Sequence, residues 1–127
     1  MLKIISLISI GGALGAPSRY LINVLIKNYF LISFPIGTLI VNILGSFIIG
    51  ILASLLKNYY NYDDLIIKYF FMIGFLGSFT TFSAFSLETI EMINKGELNY
   101  AFVYIIFTLI LNILAVYLGI NFNNYIN

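Results

Sequence analysis

The chain contains no cysteine and no histidine. Without cysteine there can be no disulfide, iron–sulfur cluster or thiolate nucleophile. Without histidine the commonest general base and the commonest transition-metal ligand are missing. Charge is scarce too: six Lys and Arg stand against five Asp and Glu, 9% of the 127 residues, where a soluble domain carries about 25%. A net charge of +1 leaves no basic patch to neutralise phosphates, so nucleic acid is not an expected partner. Hydrophobic residues fill the place of charge, at 61% of the chain with a mean hydropathy of +1.04. So little polar surface cannot cover a water-soluble fold of 14.3 kDa. The sequence describes a single all-α integral membrane domain over residues 1–127, its surroundings the lipid bilayer.

A spanning helix needs about 20 mostly apolar residues, and the charges mark out such stretches. Lys3 and Lys27 bracket the first, with Arg19 inside it; Lys27 to Lys57 and Lys68 to Glu88 enclose two more, and no charge follows Glu97. Four helices are expected, roughly 3–27, 34–57, 65–94 and 98–121. The first is read as a span rather than a secretory leader: its apolar stretch is too long and it carries Arg19. Ser33 and Pro35 suit the start of the second helix. Asn58 to Asp64 reads as a turn, with Asp63 or Asp64 able to cap the third helix. Asn94-Lys95-Gly96-Glu97 reads as a tight turn, with Gly96 left-handed. With four spans, Lys3, Lys57 and Lys68 share one side, against Lys27, Lys95 and a snorkelling Arg19. The positive-inside rule gives almost no instruction here. Either loop details orient the chain weakly, or it inserts both ways and pairs antiparallel with itself.

Polar or irregular features within the spans demand an explanation. Pro17, in Gly15-Ala16-Pro17-Ser18, removes one helix hydrogen bond and predicts a kink just before Arg19. Arg19 either snorkels to an interface or forms an electropositive funnel for an anion. Gly11, Gly12 and Gly15 form a small-residue face suited to close helix packing. Asn42 lies midway along the second helix, one turn after Thr38, as interhelical glue or as a donor to a dehydrated anion. The run Gly77-Ser78-Phe79-Thr80-Thr81-Phe82-Ser83-Ala84-Phe85 weakens the third helix in mid-span. Backbone carbonyls freed there must be buried, line a cavity or bind a cation, as in discontinuous transport helices. A second half-helix is expected to start near Thr81. Phe82 and Phe85 share a face and can offer positive ring edges to an anion. Tyr104, Thr108 and Asn112, four residues apart, form a polar stripe on the fourth helix. Glu88 and Glu91 are placed near an interface, leaving no carboxylate at mid-span.

These motifs resemble a known family. Gly11-Gly12-Ala13-Leu14-Gly15-Ala16-Pro17-Ser18-Arg19-Tyr20 is similar to the first-helix signature of the Fluc (CrcB) fluoride channels. Gly37-Thr38-Leu39-Ile40-Val41-Asn42 with Gly45-Ser46-Phe47 is similar to their second. Gly74 through Phe85, on to Glu88-Thr89, resembles their broken third helix. The resemblance implies a fluoride-selective channel in the cell membrane of a bacterium, passively exporting fluoride and so reducing its toxicity. It implies an antiparallel, dual-topology dimer with two pores lined by both subunits, the partner being a second copy or a paralogue. It implies a structural sodium ion at the dimer centre, held by backbone carbonyls of Gly77 and Thr80 of each subunit. By the same resemblance Asn42, Phe82 and Phe85 line the pore, with Thr38, Thr81, Ser83, Tyr104, Thr108 and Asn112, while Arg19 stands at the anion vestibule. Thr108 and Asn112 are bulkier than the serines expected there. Two other readings share the size: a four-helix dual-topology multidrug transporter, and a non-transporting membrane assembly subunit. The first needs a membrane-embedded acid, which the first helix lacks; the second needs no weakened helix or polar stripe.

Overall fold

The computed structural model describes residues 1–29, 34–58 and 64–126, without the side chains of 29, 58 and 123–126. Among these residues it is all helical, with four helical units long and apolar enough to cross a membrane: Leu2–Asn28, Ile36–Lys57, Ile66–Asn94 and Leu98–Phe122. In chain order the elements are α1 (Leu2–Tyr29), α2 (Ile36–Asn58), the π-helical stretch π1 (Ile66–Leu76), the single turn α3 (Gly77–Phe79), α4 (Phe82–Asn94) and α5 (Leu98–Ile126). Pro17 lies inside α1, which continues through it. Ser33 and Asp63 fall outside the described residues. Asp64 acts as the cap: its Oδ1 accepts from the backbone amides of Ile66 and Ile67, each at 3.0 Å. The turn after α4 forms around Gly96 at φ 79°, and the Glu97 amide reaches back to the Met92 carbonyl at 2.9 Å.

Two helix pairs dominate the packing, α1 along π1 and α2 along α5. Small residues make both possible. A Cβ on Gly11 would strike the Phe70 carbonyl, one on Gly15 the Phe75 carbonyl, and one on Gly74 the Ile8 carbonyl. Helix backbones in direct contact gain dispersion energy, which drives helix association inside lipid. Gly15→Val should therefore lower the midpoint of thermal unfolding in detergent far more than Ala13→Val, because Ala13 is exposed. Equal midpoints would show that the contact is not tight.

In the second pair, Gly50 backs onto the Val116 carbonyl and Gly119 onto that of Phe47. One turn earlier Ser46 bonds to Asn112. Position numbers rise together along both helices, so α2 and α5 run parallel. The buried core divides into Phe85, Met92, Ala101 and Tyr104 on one side and Val41, Leu76 and Phe79 on the other. The interruption between α3 and α4 lies between them.

Candidate functional site: a broken helix beside a polar ladder

The interruption falls at Thr80–Thr81, within the weakened run, and the second half-helix starts where it was expected, at Thr81. Gly77 is itself helical (φ −62°, ψ −30°), whereas Thr80 (ψ 156°) and Thr81 (φ −152°, ψ 117°) are extended. Hydrogen bonding explains why the helix stops here. In an unbroken helix the Thr81 amide would return to the Gly77 carbonyl. Here it donates to Asn42 Oδ1 at 2.7 Å, while Asn42 Nδ2 donates to the Thr81 carbonyl at 3.0 Å. The Ala84 amide, whose helical acceptor would be the Thr80 carbonyl, instead donates to Thr81 Oγ1 at 3.1 Å. Thr81 is thus the N-cap of α4, and the carbonyls of Gly77 and Thr80 lose their helical donors. The α4 amide ends, carrying partial positive charge, open at this point.

Asn42 therefore has a heavier structural duty than its place in the sequence suggests. Its carboxamide replaces a missing turn of backbone, and one of its two N–H groups is left for another acceptor. Ser83 Oγ lies 3.2 Å from Thr81 Oγ1. Phe82 is 71% exposed on this single chain and Phe85 only 6%. Their ring centroids are 5.3 Å apart, and Phe85 also packs on Tyr104 at 5.1 Å. The two aromatics thus share a face but not a setting.

Two polar series face each other beside the break: Thr38, Asn42 and Ser46 on α2, and Tyr104, Thr108 and Asn112 on α5. In the first layer the Thr38 hydroxyl donates to Glu88 Oε1 and the Tyr104 hydroxyl to Glu88 Oε2, both at 2.7 Å. Glu88 is the residue sequence reasoning missed here. Its carboxylate joins α2, α4 and α5. Its spacing of seven from Thr81 puts it on the face of α4 that carries the break, which was the available signal. In the second layer Asn42 turns to Thr81, and Thr108, 4% exposed, keeps a buried hydroxyl with no hydrogen-bond partner among the described residues. In the third layer Ser46 Oγ donates to Asn112 Oδ1 at 2.8 Å, and Asn112 Nδ2 to the Thr108 carbonyl at 2.6 Å.

Two cavities meet at Thr81. One, of about 300 Å³, is lined by Asn42, Ser46, Thr80, Phe82, Thr108 and Asn112 among others. The other, about 560 Å³, is lined by Arg19, Thr38, Ser83 and Glu88 among others. All the expected pore residues therefore border one or both spaces except Phe85 and Tyr104, which are buried behind them. Gly77 stands apart, exposed on α3. Among the described residues, no three His, Cys, Asp or Glu side chains cluster as a metal site would need.

Residues 6–120 match the family model described as CrcB-like protein, Camphor Resistance (CrcB). The chain belongs to the CrcB family. Three curated relatives carry the name fluoride-specific ion channel FluC. That of Azobacteroides pseudotrichonymphae is 43% identical over 94% of this chain and 94% of its own length. That of Agrobacterium fabrum is 40% identical over 91% and 92%, and that of Ruminiclostridium cellulolyticum 40% over 94% and 92%. Four apolar helices and the bacterial relatives just named make this CrcB chain a multi-pass plasma-membrane protein.

Proposed function

We propose that this protein is a fluoride-selective ion channel, not an enzyme, which lets fluoride leave the cytoplasm passively and so limits its toxicity. Full-length likeness to FluC channels supplies the ion. The observation that carries the reading in this chain is the Thr80–Thr81 break, held open by Asn42 beside a cavity with an uncommitted Thr108 hydroxyl. Fluoride is small and tightly hydrated, so a pore must replace its water with donors. Amide hydrogens, hydroxyls and ring edges do this without a full positive charge that would trap the ion. Arg19 and Glu88 both border the wider cavity, so the guanidinium offsets a carboxylate that would otherwise repel an anion there. Expression in a bacterium deprived of its own fluoride exporter should restore growth in acid medium containing fluoride; unrelieved inhibition by a well-expressed protein would count against this function.

The active form is an antiparallel dimer of two copies, with one pore on each side. Its support is the even Lys/Arg balance and the surface left on one protomer, where Phe82 is 71% exposed. Gly77 is open as well: an added Cβ there meets nothing nearer than the Met72 carbonyl at 3.7 Å. With the break at mid-membrane, the Gly77 and Thr80 carbonyls of both copies would converge. Four such dipoles facing one another in a low-dielectric site are costly unless a cation lies between them. Hard backbone oxygens without a carboxylate suit a monovalent ion, and sodium fits. Its contribution is structural, fixing the two breaks outside the anion path. Replacing Na⁺ by N-methylglucamine during purification should lower fluoride flux, with no Na⁺ moving in fixed ratio to fluoride. Unchanged flux in sodium-free protein, or stoichiometric co-transport, would refute the site.

A further inference from the structure

The third layer of the polar ladder invites a different assignment from the other two. We propose that Ser46 and Asn112 form a latch between α2 and α5 that sets the width of the cavity before Thr108. They are then positioning residues for anion selectivity, and Asn112 is not itself an ion donor. The proposal rests on the channel reading above.

Asn112 is held at both ends of its carboxamide. The oxygen accepts from Ser46 at 2.8 Å and the nitrogen donates to the Thr108 carbonyl at 2.6 Å. Two bonds of opposite sense fix the amide's orientation and make it part of the wall. Beyond this layer the helices touch backbone to backbone, with Gly50 against Val116 and Gly119 against Phe47. The cavity of about 300 Å³ is lined by Ser46 and Asn112 themselves, with Asn42 and Thr108 one turn before them. The Ser46–Asn112 bond therefore ties α2 to α5 in the wall of this cavity. The Thr108 hydroxyl stands one turn before the latch, 4% exposed and without a partner among the described residues. A helical threonine commonly returns its hydroxyl to the carbonyl four residues earlier; Thr108 does not, so its proton is available to whatever enters. A larger halide would have to spread α2 from α5 and break the latch, whereas fluoride would not.

The test is fluoride and chloride efflux from liposomes reconstituted with wild type, Ser46→Ala, Asn112→Ala and the double variant. Each single change should raise the chloride-to-fluoride ratio about tenfold, the effect of one buried hydrogen bond. The double variant should rise no further, because both changes remove the same bond. Ser46→Thr, which keeps the hydroxyl, should restore wild-type selectivity. If Asn112→Ala does not yield dispersed protein, Asn112→Leu takes its place: it keeps nearly the same volume, loses both hydrogen-bonding atoms, and the same rise is expected. Unchanged ratios in both single variants would overturn the latch. So would additive effects in the double variant, or loss of fluoride flux in Asn112→Ala at constant ratio beside a wild-type Ser46→Ala, which would make Asn112 a direct donor. Absence of fluoride efflux from the wild type would defeat the channel reading instead.

Discussion

Asn42→Ala should reduce fluoride efflux to the background of protein-free vesicles, although it introduces no charge. The Asn42 carboxamide closes two hydrogen bonds with the Thr81 backbone, at 2.7 and 3.0 Å, and the site is buried. Truncation strands a peptide N–H and a C=O, at about 1–3 kcal/mol each. The Thr81 amide can then return to the Gly77 carbonyl and heal the break. A healed helix withdraws the α4 amide ends and refills the carbonyls proposed to hold sodium. Asn42→Asp should fail as well: it keeps the acceptor for the Thr81 amide, loses the donor to the Thr81 carbonyl and adds a negative charge to an anion path. The pair separates two roles. If Asn42 only touches the ion, alanine should leave residual flux and aspartate none; if it holds the break, both are silent. Wild-type flux in Asn42→Ala, in a dispersed protein with unchanged helix content, would contradict the clamp.

Adding three lysines between α2 and the third span should have an equally large effect. The Lys/Arg count is nearly even across the membrane, so such additions force one orientation. An antiparallel dimer then lacks its second half, and flux should vanish when the variant is expressed alone. Co-expression with a copy biased the other way, by three lysines beside Lys95, should restore it. Full activity from a population of uniform orientation would exclude the antiparallel assembly.

The four spans were legible because charge is so rare that its positions alone divide the chain. The Asp64 cap and the Gly96 turn were legible because each depends on neighbours a few residues away. The break was legible as a weakness, and the restart of the helix near Thr81 was legible with it; its cause was not. Gly77 and Ser78 lower helix propensity, yet what stops the helix is Asn42, 39 residues distant, capturing one amide. Propensity reports local cost and not a remote competitor. The role of Glu88 is hidden for a similar reason: its two hydroxyl partners lie on α2 and α5, remote in sequence. Ser46 belonged to a signature motif, but only the parallel course of α2 and α5 shows it as the third rung opposite Asn112. The π-helical winding of Ile66–Leu76 has no counterpart in hydropathy, which scores that stretch as apolar however it is wound.

The most direct measurement is ion-selective electrode recording of efflux from liposomes loaded with potassium fluoride or potassium chloride, with and without valinomycin. Fluoride should leave rapidly only when valinomycin lets potassium follow, and chloride should stay at the background of protein-free vesicles. Comparable fluoride and chloride efflux, or fluoride efflux no faster than from empty vesicles, would contradict a fluoride-selective channel.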